Sequence, residues 1–153
     1  MSEYITDNIR KMEENDVDRV SEIERECFQS PWSANSLLSA LKSGSADFFV
    51  YEENKEIIAY MGMYICAGEG DIANIAVCRA YRGKKIASKL LDAVLKYETE
   101  KSVREFTLEV RPSNKVAIVL YEKRGFKVEG VRKNYYDFPK EDALIMCRRD
   151  SDK

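Results

Sequence analysis

Apolar residues recur at Ile86, Ala87, Leu90, Leu91, Val94 and Leu95, a spacing that puts all six on one stripe of a helix. The pattern changes on both sides of it. Before it come three runs rich in β-branched and aromatic residues, Phe48–Tyr51, Ile57–Ile65 and Ile72–Val77. After it, Glu105–Val110 alternates strictly, so Phe106, Leu108 and Val110 face one way and Glu105, Thr107 and Glu109 the other. A long helix with one apolar stripe, set between strands, needs a sheet to cover that stripe. The chain is therefore read as mixed α/β with one sheet.

The remaining elements follow from caps and breakers. Asn15 or Asp16 can cap a helix carrying Val17, Val20, Ile23 and Cys27, and Ser33 a second one carrying Leu37, Leu38 and Leu41 that stops near Gly44. The three β runs are separated by Glu52-Glu53-Asn54 and Gly68-Glu69-Gly70 and read as an antiparallel meander. Pro112-Ser113-Asn114 opens a short helix with Ala117, Ile118 and Tyr121 that ends near Gly125. Strands around 126–131 and 143–147 close the pattern, with 132–140 as a loop or hairpin between them. No linker, repeat or low-complexity stretch interrupts the 153 residues, which predicts a single domain over 1–153.

Composition removes several chemistries. There is no histidine, hence no Ser-His-Asp or Cys-His nucleophile, no imidazole base and no imidazole zinc ligand. Proton transfer falls to carboxylate, phenol, amine, thiol or water. Cys27, Cys66, Cys78 and Cys147 lack CxxC spacing and lie beside apolar residues, so buried reduced thiols are expected, with no metal and no disulfide. The formal charge of −2 argues against bulk binding to nucleic acid or an anionic membrane. MSEYITDN has neither a basic n-region nor an apolar core, and no stretch reaches membrane-span length. A cytoplasmic protein is expected.

Charge is unevenly distributed. Residues 1–30 are acidic, with Glu13, Glu14, Asp18, Glu22, Glu24 and Glu26 read as a solvated helix face that could also attract a basic acceptor. Residues 79–89 contain Arg79, Arg82, Lys84, Lys85 and Lys89 and no acid. Within them, Arg82-Gly83-Lys84-Lys85-Ile86-Ala87 lies where a strand gives way to a helix. Unpaired N–H groups and the helix dipole make such a place fit for phosphate, and lysines add charge. A diphosphate would fit; a solvated basic turn is the other reading.

This strand-loop-helix resembles the motif [QR]-x-x-G-x-[GA] of the GNAT superfamily of N-acetyltransferases. Arg82 stands at the first position and Ala87 at the last, while Lys85 stands where the family usually has glycine, and the only glycine is Gly83. Asn74-Ile75-Ala76-Val77, Leu108-Glu109-Val110-Arg111, Ser113-Asn114 and Leu120-Tyr121-Glu122-Lys123-Arg124-Gly125-Phe126 follow in the superfamily's order. Ser30-Pro31-Trp32-Ser33 and Arg132-Lys133-Asn134-Tyr135-Tyr136 are similar to the bacterial ribosomal-protein-alanine N-acetyltransferase branch.

The resemblance implies one mixed, mostly antiparallel sheet of about six to seven strands flanked by about four helices. It implies acetyl-CoA as donor and a protein N-terminus as acceptor, in that branch the N-terminal alanine of small-subunit ribosomal protein eighteen. It casts Glu109 as general base and Tyr121 as general acid. It assigns the donor to Ile75, Ala76 and Val77, to Arg82, Gly83, Lys84, Lys85, Ile86, Ala87 and Ser88, and to Asn114 and Tyr121. Trp32, Tyr135 and Tyr136 are implied walls for the acceptor. An α-amine has a pKa of about 7.7–8.0, so a carboxylate suffices to deprotonate it. Two other readings share the residues: transfer to a lysine, polyamine or other small amine, and an acyl-CoA sensor without turnover.

Overall fold

The computed structural model describes residues 3–150. Strands β1 (Ile9–Lys11), β2 (Ala46–Glu53), β3 (Glu56–Cys66), β4 (Glu69–Val77), β5 (Glu105–Val110), β6 (Lys127–Tyr136) and β7 (Glu141–Arg149) form one sheet in the order β1-β2-β3-β4-β5-β7-β6. Every pairing is antiparallel except β4 with β5. Helices α1 (Val17–Cys27), α2 (Ala34–Lys42), α3 (Ile86–Glu100) and α4 (Lys115–Glu122) flank it, with 3-10 turns at Glu14–Asp16 and Arg79–Tyr81.

Each face of the sheet buries its own core. The stripe of α3, with Ile86, Leu90, Leu91, Val94 and Leu95 all buried, packs with Phe49, Met61, Met63, Phe106, Leu108, Val110 and Met146. Tyr121 of α4 and Phe126 belong to the same cluster. Val17, Val20 and Ile23 of α1 and Leu37 of α2 pack with Phe48, Val50, Tyr60 and Ala76 on the opposite face.

One irregularity positions everything that follows. In the β3–β4 ladder Gly62 pairs with Asn74 and Met63 with Ile72, so Ala73 is an extra residue in β4. The bulge shifts the alternation: Ile72, Ile75 and Val77 all pack toward α3, and Ala76 toward α1 and α2. It also bends β4 where its partnership with β5 ends. That parallel register covers only Glu69↔Glu105, Gly70↔Phe106 and Asp71↔Thr107. At the closed end the strands lie tight, since a Cβ on Gly70 would sit 2.7 Å from Met63 Sδ and 3.2 Å from Phe106 Cδ1. Beyond Asp71 the strands part, leaving a gap bounded by Ile72–Val77 and Leu108–Val110.

Several expectations are corrected. Cys78 and Cys147 are buried, but Cys27 is half-buried and Cys66 exposed, because Cys66 ends β3 at the turn into β4. Residues 132–136 are not loop; β6 runs to Tyr136, with irregular pairing from Arg132 to Tyr136 around Asn134 at φ 53°. Asp16 gives α1 no side-chain cap. Its carboxylate instead takes both arms of buried Arg10 at 2.7 and 2.9 Å and the Glu13 N–H at 2.7 Å. Glu24, in the acidic run, is fully buried.

Candidate active site

The turn from β4 into α3 contains the cationic segment. Gly83 has φ +79° with open space where a Cβ would stand. Lys85, the N-cap of α3, is left-handed at φ 62°, ψ 23°. This is a physical reason for glycine at this position in the motif: an L-residue adopts this conformation only at a cost. The first bond into the helix runs from Lys89 N–H to Lys85 C=O at 3.1 Å, and no side chain caps α3. The N–H groups of Ile86, Ala87 and Ser88 therefore have no acceptor in the helix, and with Lys84 and Lys85 exposed beside them they suit a diphosphate. Arg82 is used differently. It donates Nε to the Val77 carbonyl at 3.1 Å and Nη2 to Cys27 Sγ at 3.2 Å, bracing the turn against β4 and α1. The Arg79 N–H is accepted by Glu26 at 2.5 Å, a second tie to α1.

From this turn the open edge of β4 leads inward. Cys78 donates to Ile58 at 2.9 Å across the β3 ladder. Two-residue alternation then directs the N–H and C=O groups of Ile75 and the N–H of Val77 to the opposite edge, into the gap, and those of Ala76 toward β3, while the Val77 carbonyl is taken by Arg82. An extended amide-bearing chain laid there can bond them as a strand would. Across the gap, Asn114 caps α4 by accepting from Ala117 N–H at 3.2 Å, which leaves its side-chain amide as donor.

The two proposed catalytic groups reach the gap from opposite faces. Tyr121, on the α3 face, packs edge-on against Phe126 with ring centroids 5.5 Å apart. Its side chain is buried on that face. Burial, then Tyr136, push its pKa up to about 12. Glu109 lies on the other face, opposite Ile145 of β7. Burial first, and then Asp71, raise its carboxyl above the ordinary range, while Arg132 pulls it back. Arg132 Nε is 3.1 Å from Glu109 Oε2.

The three residues assigned to the acceptor are dispersed. Tyr135 and Tyr136 form an edge-on pair at 5.0 Å on β6. Tyr136 lies near Glu109 and is itself pushed up to about 12, by burial and then by Tyr135. Trp32 packs on Phe48 at 6.2 Å and Tyr64 at 6.3 Å, between α1 and α2. It clamps the helices to β2 and β3, and β4, β5 and β7 lie between these strands and β6 with its tyrosine pair.

Comparison with known proteins matches this architecture. The model of the acetyltransferase (GNAT) family matches residues 17–126. The chain belongs to the GNAT acetyltransferase family. It is 39% identical over 139 residues to a Bacillus subtilis (strain 168) protein provisionally named a ribosomal protein bS18-alanine N-acetyltransferase, covering 90% of this chain and 92% of that one. It is 33% identical to an N-alpha-acetyltransferase of Saccharolobus solfataricus, with 92% and 91% covered. The crystal structure of the Escherichia coli ribosomal-protein-S18-alanine N-acetyltransferase superposes with a TM-score of 0.89 at 30% identity, over 95% of this chain and 94% of that one. The chain is a GNAT acetyltransferase with the seven strands and four helices of that fold.

The structure adds residues to this GNAT site that sequence reasoning left unassigned. Asp71 accepts from Thr107 Oγ1 at 3.2 Å, beside Glu109. Arg111 donates to the carbonyls of Pro139 at 2.8 Å and Asp137 at 3.1 Å, pairs with Glu141 at 3.3 Å and lies 4.2 Å over the Tyr136 ring. Glu141 in turn accepts from Ser113 N–H and Oγ at 2.8 and 2.9 Å. Arg111 thus pins the β6–β7 hairpin to the segment that opens α4. The quoted Leu-Glu-Val-Arg run was its only sequence signal.

Proposed function

We propose that this chain transfers an acetyl group from acetyl-CoA to a protein N-terminal α-amine, most specifically the N-terminal alanine of ribosomal protein bS18. One observation carries the reading: β4 and β5 part at Asp71 and Thr107, and the gap has a phosphate-suited turn at one end with Glu109 and Tyr121 on its two faces. The named acceptors of the relatives support an α-amine and, more finely, the bS18 alanine.

Acetyl-CoA supplies an acetyl thioester. The turn at 83–88 would hold its diphosphate, and the Ile75 backbone a pantetheine amide. The Val77 N–H, directed into the gap, would donate to the thioester carbonyl; an oxyanion donor of this type contributes about 3 kcal/mol in other acyl transfers. Glu109, raised toward neutrality, takes the proton of the α-ammonium, and the amine lone pair attacks. As the C–N bond forms and the C–S bond breaks, the Tyr121 hydroxyl donates to the leaving sulfur. A phenol near 12 lies well above the thiol range of about 8.5, so its effect is a hydrogen bond that strengthens with the developing thiolate.

The test is release of free thiol, with a gain of one acetyl on the α-nitrogen, from acetyl-CoA and an alanine-starting ribosomal peptide. An N-blocked peptide should give neither. Glu109→Gln should lower turnover by roughly 10²–10⁴ and keep acetyl-CoA affinity. No thiol release with this peptide, or parent rates in the variant, would overturn the acceptor or the base respectively.

A further inference from the structure

Glu109 is held by a residue that can leave. Arg132 reaches it from β6, across the intervening strand β7, on the face of the sheet opposite α3. Its side chain is 57% exposed against 22% for Glu109, and it rests 5.7 Å over the half-exposed ring of Tyr135. No second acceptor fixes its guanidinium among the described residues. The contrast with Arg111 is plain: that guanidinium has two carbonyls, a carboxylate and a ring, and is built to stay. An exposed ion pair held at one atom is weak and readily exchanged for another cation. The cation that the acceptor brings to this spot is its α-ammonium.

We propose that Arg132 is a positioning residue and a gate on the acceptor side of Glu109, holding the carboxylate until the acceptor's ammonium takes its place. This rests on the reading of Glu109 as the base. The groups facing Glu109 are Asp71 of β4, Arg132 and Tyr136 of β6, and apolar Ile145 of β7. Asp71 opposes ionisation, and a cation beside Glu109 offsets it. Arg132 supplies that cation before binding and the acceptor ammonium afterwards. The ammonium proton then passes to Glu109, the lone pair becomes free to attack, and Glu109 returns the proton to water. Arg132 resumes its position once the carboxylate is again charged.

The experiment follows Glu109 directly, by carboxyl-carbon NMR of the full chain, and in parallel the acidic limb of kcat/KM, in the parent, Arg132→Gln and Arg132→Lys. At 3.1 Å with water-like screening, one charge displaces a titration by about one pH unit. Arg132 favours the charged carboxylate, so its loss moves the midpoint upward. Arg132→Gln should raise both the midpoint and the limb by about one pH unit, and Arg132→Lys should keep them near the parent values. An unmoved midpoint in Arg132→Gln overturns the gate alone. A midpoint that moves while the limb stays overturns Glu109 as base and the gate with it.

Discussion

Glu24 provides the most quantitative test of how the acceptor side is built. It is fully buried and receives three donors: Trp32 N–H at 2.9 Å, Asn74 Nδ2 at 3.0 Å and the Tyr60 hydroxyl in a short bond. Burial first, and then the negative charge of Glu24, push the Tyr60 phenol far above its ordinary value, so it remains a donor at every working pH. One carboxylate therefore ties α1, the loop at Trp32 and strands β3 and β4 together. Glu24→Ala would remove the shared acceptor of all three donors, leaving Asn74 Nδ2 only its contact with the Tyr60 oxygen at 3.3 Å. A buried unpaired donor costs about 1–3 kcal/mol. With partial relief from water entering the space left behind, the expected loss is about 3–5 kcal/mol. Glu24→Gln keeps the shape and one acceptor oxygen. The Tyr60 hydroxyl can turn to accept from the new amide, leaving a single donor-donor conflict with Asn74 and a loss of about 1–2 kcal/mol. Urea unfolding followed by the fluorescence of Trp32, the one tryptophan, measures both. In Tm the alanine variant should lose roughly 6–20 °C at 2–4 °C per kcal/mol. A loss below 1 kcal/mol for Glu24→Ala, or equal losses for the two variants, would refute the three-donor argument.

Two further outcomes are expected. Lys85→Gly should stabilise the chain by roughly 0.5–1 kcal/mol, because relief of the left-handed strain at φ 62° exceeds the added chain entropy; calorimetry showing a lower Tm would contradict this. Glu98, buried in α3 with an unpartnered Oε2, has its pKa pushed up to about 8 by burial and then by Asp47. A carboxyl raised on folding loses stability as pH climbs from its ordinary range near 4.5 through 8, since the unfolded chain ionises first. The parent's Tm should therefore fall between pH 5 and 8.5 and that of Glu98→Gln should fall less; parallel curves would refute the assignment.

Periodic features were legible in the sequence because they are local. The stripe at 86–95 became α3, the alternation at 105–110 gave Glu109 its face, and the helix opened by Pro112-Ser113-Asn114 is α4, with Asn114 as its cap. Glu24 could have been read from the same logic, since it falls on the stripe of Val17, Val20 and Cys27, where a solvated residue does not belong. A count of acids hid it. Lys85 was noticed as a departure from pattern, but its left-handed backbone became visible only in the structure. Arg132 and Asp71 were out of reach for a different reason. Their closeness to Glu109 depends on β7 inserting between β5 and β6, and on β4 lying parallel to β5. Both are long-range choices of strand order that no local period encodes.

That same strand order accounts for chemistry without histidine. A closed sheet would separate its two faces, leaving Glu109 on one and Tyr121 on the other with no common reactant. The bulge at Ala73 and the short β4–β5 register open a passage between the faces. In the proposed reaction, a thioester lying in that passage would meet the carboxylate on the side where an amine arrives and the phenol on the side where sulfur departs. Burial acts on both groups in the same direction, upward. For a carboxylate that means a stronger base; for a phenol it means a proton retained until charge develops beside it. One physical effect, applied to two residue types from two faces, suits them to the opposite roles proposed for them, which an imidazole would otherwise have to supply.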